Sequence, residues 1–135
     1  MPSIVHRGVW LSLVALAVVV ALAGVALLWT GGCRSCFVVE DPAGERMKIH
    51  VDPDRRDAIA LLREMKKTGR RMWVGGQLER TNGKFGFRFK PSTIVVSEFT
   101  AEGLQASRYA NIRDDYEYWS SLGTVYILGR VLGCC

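Results

Sequence analysis

The chain has 135 residues, 49% hydrophobic and 23% charged, and its 18 Lys and Arg against 13 Asp and Glu give a net charge of +5. This length allows one small domain beyond any targeting segment, with no internal repeat or low-complexity tract. The positive balance is mild, far from that of a dedicated nucleic-acid binder, so nucleic acid is not an expected partner.

Val9 to Trp29 runs without a charged side chain. Roughly twenty residues at about 1.5 Å each span about 30 Å, the hydrocarbon thickness of a bilayer. Trp10 and Trp29 sit near its ends, where amphipathic rings favour the headgroup boundary, and His6 and Arg7 precede it as a basic flank. Ala21-Leu22-Ala23 is an acceptable cleavage site that would release a chain starting at Gly24. Val25–Trp29 continue the apolar run past that site, which suits an uncleaved signal anchor over residues 1–32 better. Lipidation at Cys33 is disfavoured, because Thr30-Gly31-Gly32 lacks the apolar residue such signals begin with. Nearby Lys and Arg do not fix the orientation. Cysteines prefer an oxidising compartment, so the expected topology is a single-pass cell-membrane protein with residues 33–135 outside the cytoplasm.

Cys33 and Cys36 follow this segment, and Cys134 and Cys135 close the chain. Four cysteines allow three pairings. Structural disulfides tying the ends of the domain would close a loop of about a hundred residues, worth up to ~4–5 kcal/mol in the chain-entropy model. A four-cysteine zinc site is the rival, but adjacent side chains rarely converge on one tetrahedral ion. A thioredoxin-like redox pair would need a helix N-terminus at Cys33, and Gly31-Gly32 offers none. No metal and no cofactor are expected.

The first element of the domain is a strand over Cys36–Glu40, followed by a type I turn at Asp41-Pro42-Ala43-Gly44. Met47, Ile49 and Val51 alternate with Arg46, Lys48 and His50, a half-buried partner strand. Asp52-Pro53 reads as a helix cap with Pro at the first helical position. Ala58, Ile59, Leu61, Leu62 and Met65 then recur at helical spacing, with Lys66 and Lys67 in the last turn and Gly69 as the stop. Met72–Arg80 is a strand in which Gly75-Gly76 predicts a bulge or a close backbone approach. Asn82-Gly83 predicts a hairpin turn into KFGFRFK, whose Phe85, Phe87 and Phe89 share one face. Ile94–Phe99 is a further strand. Thr100 with Glu102 opens a second helical stretch, broken around Asn111 and resuming through Asp114 to Trp119. Thr124–Leu132 is the last strand. The order β-β-α-β-β-β-α-β predicts an α+β domain, a mostly antiparallel sheet with helices on one face.

The segments FVVEDPAGERMKIHVDP, WVGGQL, GFRFKPSTIVVSEF and TAEGLQASRYANIRDDYEYW follow one another between Phe37 and Trp119. In this order the stretch resembles the N-terminal domain of a family named after a calmodulin-binding protein of social amoebae. That family's pattern runs from an F-x-x-x-D-P turn to a D-P helix start, a V-x-G strand, an aromatic strand ending in Pro, a hydrophobic strand and an acidic-aromatic helix. The resemblance implies a fold and an extracytoplasmic module, not a reaction. Calmodulin binding is not implied at these positions, and Leu104-Gln105 stands where the family often has Cys-Asp.

Candidate sites are few. His6 lies in the targeting segment, and His50 is on the polar side of a strand, where a solvated histidine is the plainer reading; no catalytic residues are expected. Asp114, Asp115, Tyr116, Glu117, Tyr118 and Trp119 form the candidate binding surface, from carboxylates able to attract Ca²⁺ and rings able to stack on a sugar or a partner. The spacing lacks the alternating ligands of a calcium loop. Its plainer reading is a helix with acids at its N-terminus and Tyr116 and Trp119 packed inward. Arg55, Arg56, Arg63, Lys66, Lys67, Arg70 and Arg71 form a basic helix surface, either a solvated face or a set of contacts to anionic lipid headgroups. Phe85, Phe87 and Phe89 read as core, or as an edge able to accept a strand from another subunit. The function these features predict is a non-enzymatic, membrane-anchored binding module with disulfide-tied termini, or else a structural accessory subunit of a larger envelope assembly. Its expected partners are the membrane and a protein, or a second copy of the chain.

Overall fold

A computed structural model describes residues 32–135. The apolar segment over Val9–Trp29 lies outside the described residues. Within them, no helix is long and apolar enough to cross a membrane.

Strands β1 (Cys36–Glu40) and β2 (Arg46–His50) form the first antiparallel hairpin. Their alternation sorts the side chains. Phe37, Val39, Met47 and Ile49 are buried, while Arg46, Lys48 and His50 face solvent. Helix α1 (Arg56–Thr68) buries Ala58, Ile59, Leu62 and Met65, one stripe at 3.6-residue spacing. It ends at Gly69, whose φ of +71° is left-handed and whose N–H donates to the Met65 carbonyl at 2.8 Å. The helix does not begin at Asp52-Pro53. The Asp52 carboxylate accepts from the Asp54 N–H at 3.0 Å and its carbonyl from the Arg55 N–H at 2.9 Å. This closes a separate turn around Pro53 and delays the helix by one turn, to an N-cap at Arg55.

Strand β3 (Met72–Arg80) pairs along its first six residues with β7 (Thr124–Cys134). On its other edge lie β4 (Phe87–Phe89) and β5 (Val95–Ser97), both antiparallel to it. They behave as one strand interrupted by a 3₁₀ turn at Pro91–Thr93. Across the interruption the Gln77 N–H donates to the Thr93 Oγ1 at 2.9 Å, and the Lys90 N–H donates to the Gln77 carbonyl at 2.8 Å. The glycine pair marks close approaches rather than a bulge. A Cβ on Gly75 would stand 2.1 Å from the Val125 carbonyl oxygen, and one on Gly76 would stand 2.9 Å from the Thr93 Oγ1. The β3–β7 register runs through both without a break.

Three parts of the second half differ from the sequence reading. Asn82-Gly83 sits inside a longer loop closed by the Thr81 N–H on the Gly86 carbonyl, at 3.0 Å, and pairing resumes at Arg80 opposite Phe87. The loop carries Phe85 out of the ladder and under the sheet, 5.1 Å from the Tyr109 ring. Residues 100–108 are not helical: β6 (Gln105–Ser107) runs parallel to β7, and Gly103 and Ser107, at φ +87° and +62°, break any helical path. The helical stretch then breaks at Asp115, with φ −142°, and not around Asn111, giving α2 (Tyr109–Asp114) and α3 (Tyr116–Ser121).

The result is a small α+β domain with an antiparallel sheet in the order β2-β1-β7-β3-β4. The last strand is central, paired with β3 on one side and with β1 and the parallel β6 on the other. The sheet curls until its outermost strands, β2 and β4, approach each other and it is nearly closed. Val125, Ile127 and Val131 of β7 point inward beside Val39, Val74 and Ile112, and Phe85, Phe87 and Phe89 all join this core.

Candidate functional site

Both ends of the domain are covalently joined. Cys33 pairs with Cys134 and Cys36 with Cys135, with Cα separations of 5.2 and 5.3 Å. These distances come from the β1–β7 ladder, in which Phe37 stands opposite Cys134. No cysteine among the described residues is free. Arg63 of α1 donates to the Cys33 carbonyl at 2.6 Å, and the Lys66 ammonium lies 3.8 Å from the Cys134 sulfur, so the helix lies over this double staple.

Part of the basic helix surface also makes contacts within the domain. Arg55 donates to the Ile94 carbonyl at 2.7 Å, Arg71 reaches the Glu40 and Leu128 carbonyls at 3.4 Å, and Arg70 pairs with Glu98 at 2.7 Å. Arg56 and Lys67 remain on the exposed face, with Lys66 beside them.

The acidic-aromatic run is divided in the same way. Tyr116 and Trp119 turn against the core. Arg80 binds the segment to β3: its guanidinium lies 4.0 Å from the centre of the Tyr116 ring and 2.5 Å from the Glu117 carboxylate. Asp114 pairs with Arg113 at 3.1 Å, and Asp115, Glu117 and Tyr118 face solvent. Among the described residues no group of three or more His, Cys, Asp or Glu side chains is placed to hold a metal ion. His50 is exposed, its Nε2 3.9 Å from the sulfur of the disulfide-bonded Cys36.

Two arrangements were missed by sequence reasoning. Asp41 is the buried charged residue of the domain, at 0% exposure. Its Oδ1 accepts from the N–H groups of Ala43 and Glu45, and its Oδ2 from that of Tyr109, the first residue of α2. Next to it, Glu40 gathers Arg46, Arg71 and Arg130 at 3.5, 3.7 and 3.0 Å, tying β1, β2, β7 and the residue ahead of β3 together.

The second is a cleft of about 470 Å³ at the seam between β2 and β4. Arg46, Lys48 and His50 line one wall from the polar side of β2; Lys84 and Arg88 line the other. Met47, Phe85 and Phe87 form an apolar floor. No carboxylate lines the cleft. Glu45 and Glu79 reach Lys84 and Arg88 from outside it, each at 2.5 Å. The hydrogen bond and charge of Lys84 hold the Glu45 carboxyl below the usual carboxylate range. The alternation in β2 was the one visible signal of this cleft. Neither a family model nor a curated protein nor a solved structure matches this chain, so the resemblance of Phe37–Trp119 rests on its motifs alone.

Proposed function

We propose that the chain is a single-pass membrane protein in which residues 1–32 are an uncleaved signal anchor and residues 33–135 a non-enzymatic binding module outside the cytoplasm. The observation that carries this reading is the Cys33–Cys134 bridge with its neighbour Cys36–Cys135. Disulfides persist in oxidising compartments, and these two begin where the apolar run ends. Arg56, Lys66 and Lys67 are exposed cations available to anionic headgroups, at about 1 kcal/mol each near a surface. The test is the mass of the protein extracted from membranes, alkylated with and without reduction, together with protease digestion of intact cells. An intact N-terminus, four unalkylated cysteines before reduction and digestion from outside support the reading. A cytoplasmic domain with free thiols sinks it.

A second reading, an accessory subunit of a larger envelope assembly, is favoured by Phe99, 81% exposed in the loop between β5 and β6. Migration of the solubilised protein on a native gel separates the two: a species far above the monomer mass selects the assembly.

A further inference from the structure

We propose that the seam between β2 and β4 binds a ligand carrying two or more phosphate groups along an extended chain. This deepens the binding-module reading and rests on it only in taking the ligand as bound and not transformed; the anchor plays no part.

The charge on the walls carries the argument. Arg46 and Lys48 lie two residues apart on one face of β2, about 7 Å along the strand. Across the seam Lys84 and Arg88 supply a second pair. Four cations meet there with no carboxylate among the lining residues, so a multivalent anion is the chemistry the cleft complements.

The ion pairs that these cations already make do not occupy the cleft. Lys84–Glu45 and Arg88–Glu79 are solvent-screened surface pairs, and Glu40 shares itself among three arginines. Lys84 and Arg88 can therefore turn to a better anion at little cost. The floor strengthens that contact. Phe85 and Phe87 are buried and Lys84 lies 5.1 Å from the Phe85 ring, so one side of a bound anion is shielded from water. Arg46 and Arg88 add planar forks suited to phosphate oxygens, which Lys48 and Lys84 complement as point charges. A cleft of about 470 Å³ exceeds what a single phosphate fills and falls within the range of small-ligand sites.

The test uses the full chain with its disulfides intact, isotope-labelled, in neutral-detergent micelles, with amide chemical shifts read during titration. Sodium tripolyphosphate is the soluble probe; short-chain cardiolipin, a lipid with two phosphates, doped into the micelles against phosphatidylcholine is the lipid probe. Saturable shifts confined to Arg46–His50 and Thr81–Arg88, weakened about tenfold in the double variant Lys48→Gln/Arg88→Gln and by added salt, support the proposal. Binding of tripolyphosphate identifies a soluble phosphate chain as the source; shifts with cardiolipin alone identify a two-phosphate headgroup. Both variant sites are exposed, and an otherwise unchanged spectrum shows that the double variant folds. The proposal is overturned if neither probe moves those amides, if the shifts fall equally on Arg56 and Lys67, or if the double variant binds as tightly. Failure here leaves the anchored reading intact, because protease digestion tests that separately.

Discussion

Asp41 and Tyr109 are locked to each other through the centre of the domain. The Asp41 carboxylate accepts the Tyr109 N–H at 3.0 Å, and the Tyr109 hydroxyl donates back to the Val39 carbonyl at 2.8 Å. The first bond caps α2 from a residue far away in sequence, since Arg108 at its own N-cap makes no side-chain cap. The second fastens the same helix to β1. One carboxylate therefore organises the β1–β2 turn and the start of α2 together.

Replacing Asp41 by Ala removes the acceptor for three N–H groups at a fully buried site. An expected loss of about 3 kcal/mol follows from stranding the buried Tyr109 N–H and two half-buried donors. Asp41→Asn, which keeps one oxygen for Ala43 and Glu45 but sets an amide N–H₂ donor against the Tyr109 N–H, should lose roughly half of that. Chemical denaturation of the oxidised protein measures both.

Burial, with a smaller contribution from Asp41, raises the Tyr109 hydroxyl well above its ordinary pKa of 10.0. The unfolded chain therefore loses this proton first, and stability present below about pH 10 falls as pH rises beyond it. Tyr109→Phe should lose about 1–2 kcal/mol at neutral pH through the stranded Val39 carbonyl and should also flatten this alkaline decline. Denaturation midpoints on either side of pH 10 test both effects; an equal slope in the two proteins would contradict the assignment.

The two disulfides span nearly the same stretch, with sequence separations of 101 and 99. Once one has closed, the other closes a ring of only about six residues, and the chain-entropy relation gives it about 2 kcal/mol. Paired Cys→Ser replacement of either bridge should therefore cost about 2 kcal/mol, and loss of both about 7 kcal/mol, far from additive. A denaturation cycle over the four proteins decides this.

Gly75→Ala places a methyl 2.1 Å from a backbone oxygen of the central strand, which has no rotamer with which to move aside. A loss of about 2–3 kcal/mol is expected, against near neutrality for Gly133→Ala, where nothing lies within 4 Å. Thermal melts of the two variants make the comparison.

What could be read from the sequence follows from where each signal resides. The strands at 36–40, 46–50, 72–80 and 124–132 and the helix ending at Thr68 announce themselves by periodicity, because each buries a face of its own; the last strand in fact runs on to Cys134. β6 does not: it is three residues whose only buried member is Ala106, and β7 defines it. The start of α1 was misplaced because Asp52 can cap a turn as readily as a helix. The disulfide pairing was open among three choices until the β1–β7 register set Phe37 against Cys134. The cleft was hidden for the same reason, since its walls come from segments more than thirty residues apart. The basic helix was legible as a charge pattern, but not the carbonyls of Cys33 and Ile94 that occupy Arg63 and Arg55.

The double staple also determines how the domain bears load. A pull on the chain ahead of Cys33 enters two covalent bridges and is delivered to the end of β7, the strand held by β1, β6 and β3 together. The first hairpin cannot be peeled off rung by rung, because β1 and β7 are fastened at the same corner. A force applied at Cys33 is therefore shared by β1 and β7, and it loads the ladders of the central strand as well as the first hairpin.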